Sequence, residues 1–202
     1  MDHKKIKMMC EAAMLLALAQ ILGYLRLYEF PNGGSVDAAT LPIILFAVRY
    51  GVGWGTLVGF AHGVLQYFLG NGIAIDWTTM IADYLVAYAL LGLGAGLVKG
   101  KANAMIKGTL LGGFLRFVAH FVVGAVVWGK WMPDTYFGMP MTNEWIYSFL
   151  YNAPYVVLCI IICIVLILLL KKPLKKYFEA ATAPTSRIVC PPADELPDGQ
   201  QG

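Results

Sequence analysis

Residues 111–131 read LGGFLRFVAHFVVGAVVWGKW. Apart from its ends the run is apolar enough to sit in a bilayer, and it exceeds the ~18 residues at which such a stretch reads as a spanning helix. Within it Arg116, His120, Gly124 and Trp128 recur at every fourth residue. Helical periodicity places those four along one slowly turning stripe. A cation, an imidazole, a gap and an indole in a row are costly against lipid, so the stripe faces protein or a polar cavity. A helix packed on its neighbours around one satisfied histidine is the plainer reading of this segment alone. The other segments decide between the two.

Working outward, the whole chain is of the same kind. It has 202 residues, 59% hydrophobic and only 13% charged, against about 25% charged in soluble domains. This is an all-α integral membrane protein with too little sequence outside its spans for a soluble catalytic or nucleotide-binding domain. The net charge of +3 comes from lysines gathered at span ends and implies no nucleic acid. Cys10, Cys159 and Cys163 lie in apolar segments and Cys190 in a polar tail, a spacing that suggests neither disulfides nor a metal site.

Segment one, about residues 7–25, follows Lys4, Lys5 and Lys7, and no small-residue cleavage site ends it. It carries Ala13 and Ala17 on one face, where small residues let a second helix come close, either within the bundle or from a partner. The connection at 28–40, YEFPNGGSVDAAT, cannot continue a helix, and its length suits a binding loop. Segment two, 41–48, is short for a span and should borrow residues from that loop. Segment three, 51–69, holds His62 and Gln66 one turn apart, and segment four, about 75–98, holds Asp83 and Tyr84. The glycines of GLGAGLVKG at 92–100 lack phosphate-loop spacing, so Gly92 and Gly96 read as a close helix crossing. After segment five comes a second long loop, 129–143. Segment six, 144–170, opens with Tyr147, Tyr151 and Asn152 ahead of Pro154, which kinks or loosens its first turns. Residues 1–176 therefore form one transmembrane domain, and 177–202, rich in Pro, Ala and acidic residues, a disordered tail.

Orientation follows from lysine and arginine. The amino-terminal lysines, Arg49, Lys99, Lys101, Lys107 and the Lys171–Lys176 cluster share one side. The opposite loops hold only Arg26 and Lys130 beside Glu29, Asp37, Asp76, Asp134 and Glu144. The positive-inside rule then gives six transmembrane helices with both termini cytoplasmic.

With that orientation and a rise of ~1.5 Å per residue, His62, Asp83, His120 and Asn152 on four different segments all lie ~12 Å inside the outer boundary. Tyr84, Tyr147, Tyr151, Gln66 and Trp128 are close by. A carboxylate at that depth requires a counter-charge. It could pair with Arg116 or a histidine in a structural network, belong to a proton relay, or balance a cationic ligand. A relay needs an inward continuation that segments three and six lack. The aromatic layer and the two long outer loops favour the ligand. A membrane-embedded hydrolase would have to use the same histidines and aspartate, but no nucleophile–base constellation accompanies them, so the residues read as a binding protein and not an enzyme.

Taken together, GGSVDAATLPIILFAVRYG at 33–51, the Asp83–Tyr84 pair, the Arg116–Trp128 stripe and the Tyr147/Asn152 pair resemble one family over residues 8–172. It is the thiamine-specific S components (ThiT/YuaJ family) of energy-coupling factor (ECF) transporters. The resemblance implies the six-helix S-component fold in the bacterial cell membrane, capture of extracellular thiamine, and delivery through a T component energised by two ATP-binding subunits. It implies no cofactor, no metal and no nucleic acid. Residue by residue it makes Asp83, Tyr84, His120, Gly124, Trp128, Tyr147 and Asn152 ligand-binding, and Ala13 and Ala17 the surface that docks on the T component. His62 stands at the helix-three position where the family has a pocket tryptophan, Asp83 stands where it has Glu, and nothing aromatic between Pro31 and Thr40 replaces its tryptophan in the first outer loop. An S component for a related precursor, such as hydroxymethylpyrimidine, is the nearest alternative.

Overall fold

The computed structural model describes residues 3–30, 33–70, 72–74, 76–173, 175 and 177. Among them are six long helices: α1 (His3–Tyr24), α2 (Thr40–Tyr50), α3 (Val52–Leu69), α4 (Trp77–Gly96), α5 (Ala104–Val126) and α6 (Glu144–Leu170). The two long connections fold into antiparallel hairpins, β1 (Tyr28–Glu29) with β2 (Ser35–Val36) and β3 (Thr135–Tyr136) with β4 (Met139–Pro140). Both hairpins lie at one end of the bundle and the lysine clusters at the other. By length and composition α1, α4, α5 and α6 can each cross a membrane.

The short second helix shapes the rest. It takes only Thr40 from the preceding loop, because Asp37 folds that loop on itself. The Asp37 carboxylate accepts from the Ser35 hydroxyl at 2.7 Å and from the Ala39 N–H at 2.9 Å, a side-chain turn that sets the helix start. With 11 residues, α2 is only about 16 Å long. Every residue from Thr40 to Val48 is buried. Ile43, Ile44, Phe46 and Val48 form a core with Tyr88, Leu91 and Ala95 of α4, Met105 of α5, and Cys163 and Ile167 of α6. This post fills the lysine-end half of the bundle and leaves the hairpin-end half without a central helix.

Glycine sets how closely the wall helices approach. A Cβ at Gly59 would run into the Tyr88 carbonyl, one at Gly63 into the Tyr84 carbonyl, and one at Gly92 into the Gly55 carbonyl. Bare backbone at every fourth position of α3 thus lets α4 lie against it. Gly96, on Gly51 and Val52, completes the crossing read from the sequence. Within α4, Met80–Val86 is π-helical, a geometry concentrated at functional sites. Its lead-in is a capping box. Asp76 accepts from the Thr79 N–H at 2.9 Å while the Thr79 hydroxyl accepts from the Asp76 N–H at 3.1 Å. The Thr79 amide holds the Asp76 carboxyl below the usual carboxylate range.

Residues 178–202, nearly all of the expected tail, lie outside the described residues. Its first residue is packed: Tyr177 donates its hydroxyl to Glu11 Oε1 at 2.8 Å, and its ring lies 4.6 Å from the Arg49 guanidinium carbon. These two polar partners tie Tyr177 to α1 and to the end of α2.

Candidate ligand-binding site

The space above α2 is a cavity, and Asp83, Tyr84, His120, Gly124, Trp128, Tyr147 and Asn152 all line it. Asp83 is the hub. Its Oδ1 lies 3.0 Å from His120 Nδ1, and its Oδ2 accepts from Trp128 Nε1 at 2.8 Å. A neutral His120 donates from Nδ1 and keeps a lone pair on Nε2, an atom with no partner. Trp128 reaches the carboxylate because α5 stops at Val126 and residues Trp128–Trp131 turn as a 3-10 helix. The last member of the fourfold stripe is therefore off the helix, presenting its N–H to Asp83.

Asp83 does not pair with Arg116. That guanidinium stands over the Tyr88 ring, 4.7 Å from the centroid, with Nη2 donating to the Tyr88 hydroxyl at 3.3 Å. Among the described residues the carboxylate pairs are Arg26–Glu29, Arg49–Glu11 and the His120–Asp83 contact. If His120 is neutral, no cation touches Asp83.

The facing wall is α6, whose Tyr147, Tyr151 and Tyr155 follow one another at single-turn spacing and all line the cavity. Asn152 is engaged within the protein: Nδ2 donates to the Ser148 carbonyl at 2.9 Å, and Oδ1 accepts from the Tyr155 hydroxyl at 2.8 Å. It orients Tyr155 as well as lining the wall. Gly124 contributes space. A Cβ there would collide with Ser148 Oγ and Asn152 Nδ2, so the missing side chain lets α5 and α6 close at this level.

His62 does not reach the cavity. It is fully buried, edge-on to Tyr88 at 4.7 Å, and both ring nitrogens lack partners. The rise along α3 gives its depth, but Tyr88 occupies the wall at that height. Tyr88 and Tyr155 were not singled out from the sequence, although each continues a marked tyrosine by one turn or so. The connection at 28–40 is legible as a binding loop, but not its pairing into a hairpin, since no periodicity announces it. Its Gly34 N–H donates to the Tyr151 hydroxyl at 3.1 Å, and a Cβ at Gly34 would lie 3.1 Å from the Tyr155 ring. Glu29, Gly33 and Ser35 join it around the cavity. Across the mouth, Tyr136 of β3 meets Tyr147 edge-on at 5.4 Å, and burial lifts its phenol above the ordinary range.

Away from the cavity, Ala13 and Ala17 are exposed on α1, whereas Ala12, Leu15 and Leu16 pack on the core. The small-residue face is turned outward, away from the core.

The family model described as thiamine transporter protein (Thia_YuaJ) matches residues 9–179. The thiamine transporter ThiT of Bacillus subtilis (strain 168) is 35% identical over 170 residues, covering 77% of this chain and 85% of that one. The thiamine transporter ThiT of Lacticaseibacillus paracasei is 27% identical over 168 residues, covering 75% and 80%. A solved structure of ThiT from Listeria monocytogenes matches with a TM-score of 0.74 over 87% of this chain and 99% of that one, at 19% identity, a likeness of fold.

Proposed function

The chain belongs to the thiamine transporter protein family, and from that premise we propose that it captures extracellular thiamine as the S component of an ECF uptake system. It is a multi-pass bacterial membrane protein of a transporter family and not an enzyme. The observation that carries the reading is the state of Asp83. Its carboxylate is held by an imidazole and an indole inside an aromatic cavity, and among the described residues no lysine or arginine lies within ion-pair distance of it. A thiazolium supplies the missing charge, and the tyrosines add cation–π attraction. The aminopyrimidine has an exocyclic amine to donate. His120 Nε2 and Gln66 Oε1 are both without partners and can accept.

In this reading Asp83, Tyr84, His120, Trp128 and Tyr147 hold the ligand, while Gly124 and Asn152 make room and brace the wall. His62 supports Tyr88 from behind. Residues 1–176 with Tyr177 act as one substrate-binding domain of six spans. The lysine-rich end, with both termini, faces the cytoplasm. Ala13 and Ala17 dock on a T component coupled to two ATP-binding subunits. Titration calorimetry of the detergent-purified full chain with thiamine tests the core of the reading. One thiamine per chain is expected, and the absence of saturable binding would overturn it. Cysteines placed at Lys101 and Asp134 should label from opposite sides of intact cells; labelling from one side would overturn the six-span topology.

A further inference from the structure

Besides the Arg26–Glu29 ion pair, two opposite charges line the cavity on separate walls, Asp83 and Arg116, and only the negative one has been given a role. Arg116 lies one turn before His120 on α5, about 6 Å nearer the lysine end. It lines the cavity and is only 8% exposed. A guanidinium so deeply buried is ordinarily matched by a carboxylate. Here it has a phenol instead, and its Nε has no partner. Asp37, the buried carboxylate at the head of α2, is taken up by the Ser35 hydroxyl and the Ala39 N–H. Among the described residues no carboxylate lies within ion-pair distance of Arg116. The cavity is therefore electrically polarised, negative at Asp83 and positive at its floor.

Resting on the thiamine reading above, we propose that Arg116 is a specificity-determining residue that keeps positive charge off the cavity floor. It thereby sets which way round a ligand with one cationic and one neutral ring lies. The cationic ring takes the Asp83 end and the neutral ring the Arg116–Tyr88 end. Two physical effects act together. Like charges repel strongly where protein has replaced water, so a thiazolium at the floor is opposed by the guanidinium and deprived of Asp83. A pyrimidine has ring-nitrogen acceptors, and these suit an N–H donor that the protein has left unspent. A purely structural arginine, holding α5 against α4 through Tyr88, would affect every ligand alike.

The test uses the full-length protein in detergent and three ligands. They are thiamine, an analogue with an uncharged thiophene in place of the thiazolium, and a third that keeps the thiophene but is N-methylated on the pyrimidine. The last moves the positive charge to the other ring. Wild type should bind thiamine best and the pyrimidinium ligand worst, roughly tenfold or more below the neutral analogue, from charge repulsion of this kind. Arg116→Gln should shrink that last gap to about threefold or less, while Arg116→Lys keeps most of it, because charge and not shape sets it. The inference is overturned if wild type binds the pyrimidinium ligand as well as the neutral one, or if Arg116→Gln weakens all three by one common factor. If Arg116→Gln does not fold, the wild-type ranking and the lysine variant still decide. Failure of wild type to bind thiamine at all is a separate result, which removes the thiamine reading and this inference with it.

Discussion

A carboxylate is drawn into the protein at each end of the bundle, and the two are finished differently. At the lysine end, Glu11 accepts from the Tyr50 hydroxyl at 2.7 Å and the Tyr177 hydroxyl at 2.8 Å, with Arg49 at 3.4 Å. Anion and cation meet within the protein, so the cluster is a clasp that ties α1 to the α2–α3 corner and to Tyr177. At the hairpin end, Asp83 is surrounded by similar groups, aromatic rings and an imidazole, but its cation is withheld. The nearby Arg116 lies on Tyr88 instead. Both sites have a half-buried acid among aromatics. What separates a binding site from a clasp here is whether the protein completes the charge pair itself.

Removing the charge at Asp83 is the strongest way to break that comparison. Asp83→Asn keeps the size and can still accept from Trp128, but it no longer balances a cation. Thiamine should weaken by roughly 2–5 kcal/mol, the range for breaking a buried charge pair, or about 30-fold to several thousand-fold. A neutral analogue should lose far less. Calorimetry with both ligands reads the difference. Equal losses, together with a lower melting temperature, would make Asp83 a second clasp.

The next effect concerns shape. Gly124→Ala puts a methyl group against Ser148 and Asn152, so α5 and α6 must part. Overpacking of this kind costs about 1–3 kcal/mol, and if that cost falls on the bound state thiamine affinity should drop about 5- to 150-fold. The lysine-end clasp, on the far side of the α2 core, should be untouched. Unchanged affinity would mean that the wall gives way without consequence.

How far these two regions could be read in advance depends on which physical rule governs each residue. Apolar run length marked out the six helices, and helical rise put Asp83, His120 and Asn152 in one layer. Rise says nothing about what else stands on the wall, so His62 was placed in a pocket that Tyr88 occupies. The fourfold stripe was legible to Gly124 and failed at Trp128, where α5 ends and a tighter turn swings the indole inward. The π-helical stretch around Asp83 leaves no mark in a pattern read at 3.6 residues per turn. The clasp was hidden too. Nothing in the segment that carries Glu11 points to Tyr50 or Tyr177, 39 and 166 residues away. The hairpin that covers the cavity turns where the Phe30 N–H donates to the Gly34 carbonyl at 2.6 Å, a local hydrogen-bond event without periodicity.

If the clasp is structural, its loss should be felt in stability and not in binding. Glu11→Gln keeps the side chain's length but leaves Arg49 without its counter-charge. Glu11 and Arg49 side chains are 12% and 21% exposed, so solvent partly screens the loss. We expect about 1–2 kcal/mol of destabilisation, visible as a lower melting temperature, with thiamine affinity within about twofold of wild type. A drop in affinity comparable to that of Asp83→Asn would show that the two ends are coupled, and the division between clasp and site would have to be given up.

The smallest effect on the isolated protein is expected on the outer face of α1. Ala13 and Ala17 are exposed there between larger exposed residues, Met14 at 66% and Leu18 at 43%. Small residues beside large ones form a shallow groove that another helix can enter closely, whereas lipid chains gain nothing particular from it. Ala17→Trp fills the groove without touching the core, so stability should move by no more than about 0.5 kcal/mol and thiamine binding should be unaltered. Uptake by cells should nevertheless stop if, as proposed, a partner complex assembles against this face. Measuring binding on the purified chain and uptake in the same strain separates the possibilities. If both fell together, the alanine face would belong to the binding fold. If neither changed, docking would have to be sought on another surface. Only binding retained with uptake lost assigns a third region to the molecule, one whose function lies in a partner and not in either carboxylate.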